Sequence, residues 1–159
     1  MTGVARGEKF VTLGVDREIF AVGVDAVREI LDPRPMAALP HAPAFLSGII
    51  DVRGDAVPVL DLRRKLGLAP APLTEHSRIV VVEVAMPERD LVLGLLTDRV
   101  FEVTELDDDS VGEAPEIGVR WRSEYIRAIG RRQGRFVVVF DLARLFGSEE
   151  AALLADVAE

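Results

Sequence analysis

The chain has 159 residues, a formal net charge of −8 at pH 7 and no cysteine. Its length suits one domain, or two small lobes around a shared core, that folds without metal or disulfide staples; the missing cysteine excludes a disulfide framework, a thiolate nucleophile and cysteine-ligated zinc or iron, and is compatible with a reducing cytosol. Arginine carries almost all positive charge, Lys9 and Lys65 being the only lysines, and the net field repels nucleic acid and anionic membrane, which points to protein partners.

Met1 to Glu8 is short and polar, without the apolar core of a signal peptide, and later hydrophobic runs are broken by charge or proline before a bilayer is spanned. A soluble intracellular protein with intact boundaries is expected. β-branched and aromatic runs between turn signals predict strands at Phe10–Val15, Ile19–Val24, Ser47–Val52, Ala56–Leu60, Arg78–Val84, Leu91–Thr97, Ile126–Arg131 and Phe136–Phe140. The turns between them are short and polar: Asp16-Arg17-Glu18, Met86 to Asp90, Arg53-Gly54-Asp55 and Gln133-Gly134-Arg135. Asp61 and Asp141 are placed to cap short helices that Gly67 and Gly147 end. Thr104 to Val119 is acidic and reads as a surface connection, and Ser148 to Glu159, with its capping serine and with Leu153, Leu154 and Val157 on one side, as a docked helix.

The chain repeats itself. Phe45 to Gly67 aligns without gaps on Tyr125 to Gly147, 80 residues later, with identities at Ile49/Ile129, Gly54/Gly134, Val57/Val137, Val59/Val139, Asp61/Asp141, Leu62/Leu142 and Arg64/Arg144. Asp25 to Ile30 pairs with Asp98 to Val103 at an offset of 73. Each half therefore reads as a hairpin, a short Asp-x-Val-x-Glu-aliphatic segment, a connection, a second hairpin and a short helix. Two such halves predict paired small barrels, because closing a sheet on itself removes exposed edges, with a shared apolar seam between them.

Catalysis lacks its usual candidates. His41 and His76 stand far apart without a carboxylate or second histidine at ligand spacing, no phosphate-binding glycine loop or nucleophile elbow occurs, and the acidic pairs lie in solvated runs. No catalytic, cofactor-binding or metal-binding residue is assigned, no cofactor is expected, and the chain reads as a non-enzyme.

The ordered motifs Phe10-Val-Thr-Leu-Gly, Val24-Asp-Ala-Val-Arg-Glu-Ile30, Leu39 to Gly54, Pro58-Val-Leu-Asp-Leu-Arg63, Gly94 to Val103, Ser123-Glu-Tyr-Ile126 and Ser148 to Leu154 resemble the CheW family from about Lys9 onward. The resemblance implies a mainly β fold of two SH3-like five-stranded barrels sharing a hydrophobic core, with short helices and a C-terminal helix. One domain is expected over 9–147, its two lobes dividing near 70–78 with strands open to exchange between them, followed by the helix at 148–159. It further implies an adaptor that couples the cytoplasmic tip of chemoreceptors to the regulatory domain of the histidine kinase CheA, at membrane-associated cytoplasmic arrays, with self-association in rings as a further option. A pilus-motility adaptor of the same fold and a stand-alone kinase regulatory domain are the alternatives.

Seven residues are candidates for partner binding. Val27 and Ile30 approach one another if their segment is a helical turn, and would then anchor a receptor helix, with a place in the core as the competing reading. Glu29 and Arg53 match charged positions of the family motifs, with an intramolecular ion pair as the competing reading. Val52 precedes Arg53 on the hairpin edge, and alternation leaves it free to point inward. Gly48 and Gly94, inside strand patterns, permit close approach of a partner backbone or a bulge, whereas Gly54 and Gly134 serve turn geometry. Asp51 departs from the asparagine of the family pattern and is expected to restrain Arg53 or to call for a more basic receptor surface.

Overall fold

Two-residue turns set the first level of the architecture. Arg53 and Gly54 have φ of 53° and 87°, and Gln133 and Gly134 have φ of 53° and 80°; two consecutive left-handed residues make the hairpin turn whose twist matches that of the flanking strands. The computed structural model describes residues 6–107 and 125–146 with Glu150 and Leu154. Among these, the strands are β1 (Lys9–Val15), β2 (Glu18–Gly23), β3 (Val27–Leu31), β4 (Leu46–Val52), β5 (Asp55–Asp61), β6 (Arg78–Val84), β7 (Leu91–Thr97), β8 (Arg99–Glu105), β9 (Ile126–Arg132) and β10 (Arg135–Phe140), with the short helix α1 (Leu62–Lys65) after β5.

The strands form two five-stranded sheets, ordered β8-β1-β2-β10-β9 and β3-β6-β7-β5-β4. The two orders become identical when β1, β2, β8, β9 and β10 are matched to β6, β7, β3, β4 and β5. Each half of the sequence therefore gives its first hairpin to the barrel built by the other half. The stretch 70–78 divides the sequence halves but runs within one barrel, between β5 and β6. Parallel pairing of β2 with β10 and of β7 with β5 joins the exchanged hairpins to their hosts.

Both sheets close on themselves. In the first barrel Asp107 N donates to Arg131 O at 2.8 Å; in the second, Ala37 and Ile49 exchange two backbone bonds of 2.9 Å. Closure gives each barrel a small interior, Phe10, Ala21, Ala128, Val137 and Val139 in one and Ile50, Val57, Val59, Ile79 and Val81 in the other. The larger apolar cluster lies between them and draws Val11, Leu13, Phe20, Val22 and Phe140 from the first sheet and Leu60, Val80, Val82, Leu93 and Leu95 from the second. Alternation along β1 and β6 splits each strand between its barrel interior and this seam.

The segments Val27–Leu31 and Arg99–Glu105 are strands, where the sequence pattern suggested only short connectors and, at Val27 and Ile30, a helical turn. The helical part is the three-residue turn Val24–Ala26 just before β3. The alternation was hidden by equivalent bulges: β3 shifts register against β6 between Val27 and Glu29, and β8 against β1 opposite Thr12/Leu13. At the β8 bulge the hydroxyl of Thr12, on β1, donates to Glu102 O at 3.1 Å and accepts from Glu102 N at 3.2 Å, bonding backbone beside the bulge. The acidic connection begins later than expected, since Thr104 and Glu105 belong to β8; its remainder from Asp108 lies outside the described residues.

Asp61 caps α1 by accepting from Arg63 N at 3.0 Å, Asp141 accepts from Arg144 N at 3.3 Å at the start of the turn Leu142–Arg144, and Gly67, with φ of 76°, follows α1. Glu150 and Leu154 are helical, and Leu154 is buried in the seam; the rest of the expected helix, with Leu153 and Val157, lies outside the described residues. Lys65 Nζ meets Glu150 Oε1 at 2.7 Å and lies 4.7 Å from the Phe45 ring and 5.4 Å from the Tyr125 ring. One buried cation thus ties the equivalent aromatics of both halves to the last described turn.

Arg63 clamps one end of the seam. Its Nε and Nη2 donate to Asp98 Oδ1 and Oδ2 at 3.0 and 2.8 Å, its Nη1 donates to Ala69 O at 3.0 Å, and Asp98 Oδ2 accepts from Asp16 N at 2.7 Å. The bond to Asp98 holds the guanidinium pKa above its ordinary value. The network joins α1 of the second barrel to the β1–β2 turn of the first, so Arg63→Ala is expected to cost about 2 kcal/mol, the range for a partly buried charge-assisted network. Urea unfolding measures it, with Arg64→Ala as a control near zero, since Arg64 is half-exposed and stands 3.7 Å from Asp61.

Candidate functional site

The β4–β5 turn, the β3 residues Arg28 and Glu29 and the β6–β7 connection surround a surface depression of about 440 Å³. Glu29, Val52 and Arg53 line it together with Arg28, Asp55, Val81 and Asp90. Arg53 Nη1 donates to Glu29 Oε2 at 2.7 Å, with the arginine side chain 79% and the glutamate 21% exposed. The ion pair that competed with a partner role is therefore formed. It occupies one donor of the fork and leaves the others on the solvent side, so the pair holds Arg53 in place while the guanidinium stays available to an acceptor outside the chain.

Asp51 does not hold Arg53. Its Oδ1 accepts from Gly54 N at 2.7 Å and its backbone oxygen accepts from Arg34 Nη1 at 3.2 Å. The carboxylate braces the turn through an acceptor that asparagine also possesses, which accounts for the departure from the family pattern without loss of the turn. Val52 points inward and packs with Ile50, Val57 and Ile79, contributing the wall of the depression rather than a free anchor.

Val27 and Ile30 share a face by a route different from a helical turn. The bulge at Arg28 makes Val27 oppose Val82 and Ile30 oppose Val80, and directly opposed residues of an antiparallel ladder lie on one side of the sheet. Val80 and Val82 belong to the seam, so both candidates flank it. Val27 is half-buried against the seam, whereas Ile30 is 42% exposed. Its counterpart in the repeat, Val103, is 56% exposed and opposes the seam residue Val11. Each rim of the seam thus carries an exposed aliphatic side chain, and Val103 was signalled by the repeat though not singled out.

Gly48 and Gly94 face the chain itself. A Cβ on Gly48 would stand 2.7 Å from Ala37 O and 2.9 Å from Met36 Cβ, at the backbone bridge that closes the second barrel. One on Gly94 would stand 2.6 Å from Ile79 Cγ2 inside that barrel. Both are buried, and the close approach read from the sequence is made by the protein's own strands. The first barrel has alanines, Ala128 and Ala21, at the equivalent positions, both fully buried. Arg28 pairs with Glu83 at 2.9 Å and, with Asp55 and Asp90, completes a mixed-charge rim that the sequence did not gather; these residues come from β3 and two hairpins whose juxtaposition depends on the exchange of strands.

A rigid double barrel with a charged depression at one end and aliphatic rims along its seam defines a two-lobed docking scaffold. The chain belongs to the CheW-like domain family, whose pattern matches residues 9–150. It is similar to the probable chemotaxis protein CheW of Rhizobium etli, 32% identical over 143 residues covering 90% of each chain. It is also similar to the chemotaxis protein CheW of Rhizobium meliloti, 31% identical over 144 residues, 91% of this chain and 90% of that one. Among solved structures, the scaffolding protein TtCheW from Thermoanaerobacter tengcongensis superposes with a TM-score of 0.78 at 26% identity, covering 90% of this chain and 94% of that one. No helix among the described residues is long and apolar enough to cross a membrane.

Proposed function

We propose that this chemotaxis scaffold is a coupling adaptor that binds the regulatory domain of a CheA-type histidine kinase and the cytoplasmic tip of a chemoreceptor at separate surfaces, making and breaking no covalent bond itself. Its place is the cytoplasmic face of a receptor array. The observation that carries the reading is the Glu29–Arg53 pair at the rim of the depression, an arginine fixed by one donor and presented by a rigid two-residue turn. That end suits the kinase lobe, and the rims with Val27, Ile30 and Val103 suit one face of a receptor helix. Coupling then follows from differential contact energies: a receptor state that binds the adaptor better biases the kinase bound to it.

The two hairpin tips support self-association as well. At equivalent positions one tip reads Asp51-Val-Arg-Gly-Asp55 and the other Arg131-Arg-Gln-Gly-Arg135, so the acidic tip of one copy complements the basic tip of the next in a head-to-tail contact. Calorimetric titration against the kinase regulatory domain and a receptor-tip fragment of the same genome is expected to give binding to both at once, and dilution of the chain alone at low salt a heat of dissociation that high salt removes. Binding to neither partner rejects the adaptor reading; a featureless dilution rejects self-association.

A further inference from the structure

A lysine stands at the seam where the repeat has a leucine. Lys65 is equivalent to Leu145, which is fully buried in the seam cluster, and the lysine side chain is itself only 7% exposed. Its ammonium lies 4.7 Å from the centre of the Phe45 ring, 5.4 Å from that of Tyr125 and 6.0 Å from that of Phe146, and meets Glu150 Oε1 at 2.7 Å. Stability alone does not call for this arrangement. Apolar side chains of similar volume commonly match or better a buried ion pair, and Leu145 shows that leucine suits the equivalent place. What the ammonium adds is selectivity, since it admits a carboxylate at one position and in one register.

Glu150 and Leu154 are both helical and stand four residues apart, so they project from one face of their helix. Leu154 is fully buried in the seam cluster. The seat therefore has two points: a caged ammonium that takes a carboxylate and, one turn along, an apolar place that takes a leucine. Phe45 and Tyr125, which precede β4 and β9, are equivalent residues of the two halves, so both barrels contribute to it. None of these residues lines the depression beside the β4–β5 turn, and the seat is a separate surface.

The cage also permits exchange. Removing the carboxylate of a buried pair normally strands the cation, whereas the three rings keep the Lys65 ammonium attracted and in place while no carboxylate is there. Opening one docked helix costs less than unfolding two closed barrels. We infer that this seat is a helix-binding site, filled in cis by the helix of Glu150 and Leu154 and open in trans to a partner protein's helix that carries a carboxylate and, four residues on, a leucine. Charge complementarity at Lys65 and the fit of the resident pair define that chemistry. The site stands whether or not the chain couples a receptor to a kinase, and its test uses neither.

The test is fluorescence anisotropy of a labelled peptide with the sequence of residues 148–159, titrated with the full chain as wild type, Glu150→Gln and Lys65→Met/Glu150→Gln. The Glu150 side chain is 31% exposed and methionine replaces the lysine stem with apolar bulk, so both variants keep the double barrel, which thermal unfolding checks. In wild type the resident helix competes at the high effective concentration of a short linker. Glu150→Gln in the chain weakens that competitor, and the peptide is expected to bind this variant about tenfold tighter than wild type, the factor for one charge-assisted contact. The peptide that itself carries Glu150→Gln should bind the same variant about tenfold more weakly than the unchanged peptide, and the Lys65→Met double variant should not distinguish the two. No binding to the Glu150→Gln chain, equal affinity for that chain and wild type, or a preference for the glutamate peptide that survives Lys65→Met overturns the inference.

Discussion

Phe20→Ala is expected to cost about 3–5 kcal/mol, the range for deleting a buried aromatic ring. At about 2–4 °C per kcal/mol for a chain of this size, Tm should fall by roughly 6–20 °C. Phe20 is fully buried in β2 and stacks on Phe140 with ring centroids 4.8 Å apart and planes 2° from parallel. It also opposes Leu13 on β1 and Val138 on β10, all in the seam cluster, so no single neighbour can move in to refill the space. β2 belongs to the half of the sequence that completes the opposite barrel, and the loss is therefore felt by both barrels in one transition. The control is Phe136→Ala on β10, 59% exposed, which should stay within about 0.5 kcal/mol. A loss at Phe20 no larger than the control's, or unfolding that splits into two steps, would show that the seam is not the shared core.

Hairpins were legible because turn chemistry and β-branched runs are local signals. Arg53-Gly54 and Gln133-Gly134 demand left-handed backbone, and the strands beside them follow. The exchange of hairpins was less visible, because alternation says that a residue points to one side of a sheet and not which sheet receives it. β3 and β8 were missed for a different reason. A bulge inserts one residue into the period, so Val27 and Ile30, three apart, come to share a face, a spacing that sequence alone reads as helix. At the candidate site, the Glu29–Arg53 pairing was among the readings available from charge type. The depression around it, with Asp55 and Asp90, requires side chains from β3 and two hairpins and depends on tertiary register. Gly48 and Gly94 show the opposite limit: the sequence indicates that a backbone must come close, but only packing identifies Ala37 and Ile79 as what comes close.

The charge pair also separates a brace from a recognition element. Arg53→Glu places two carboxylates at the site of a 2.7 Å ion pair, yet the arginine side chain is 79% exposed, so the stability change should stay within about 1 kcal/mol. Kinase-domain binding should fall about 100-fold, in the range for losing a charged group at an interface. The reciprocal double variant Glu29→Arg/Arg53→Glu decides why. It restores an intramolecular pair on the same rim, with the signs exchanged. If the pair only braces β3 against the β4–β5 turn, binding returns. If the partner reads the guanidinium, binding stays at least about 30-fold below wild type, because the acceptor that met Arg53 now faces a carboxylate. The second result is expected, since one donor of Arg53 suffices to hold the turn and the rest of the fork faces outward; recovery of wild-type affinity by the double variant would reduce Glu29 and Arg53 to a structural pair.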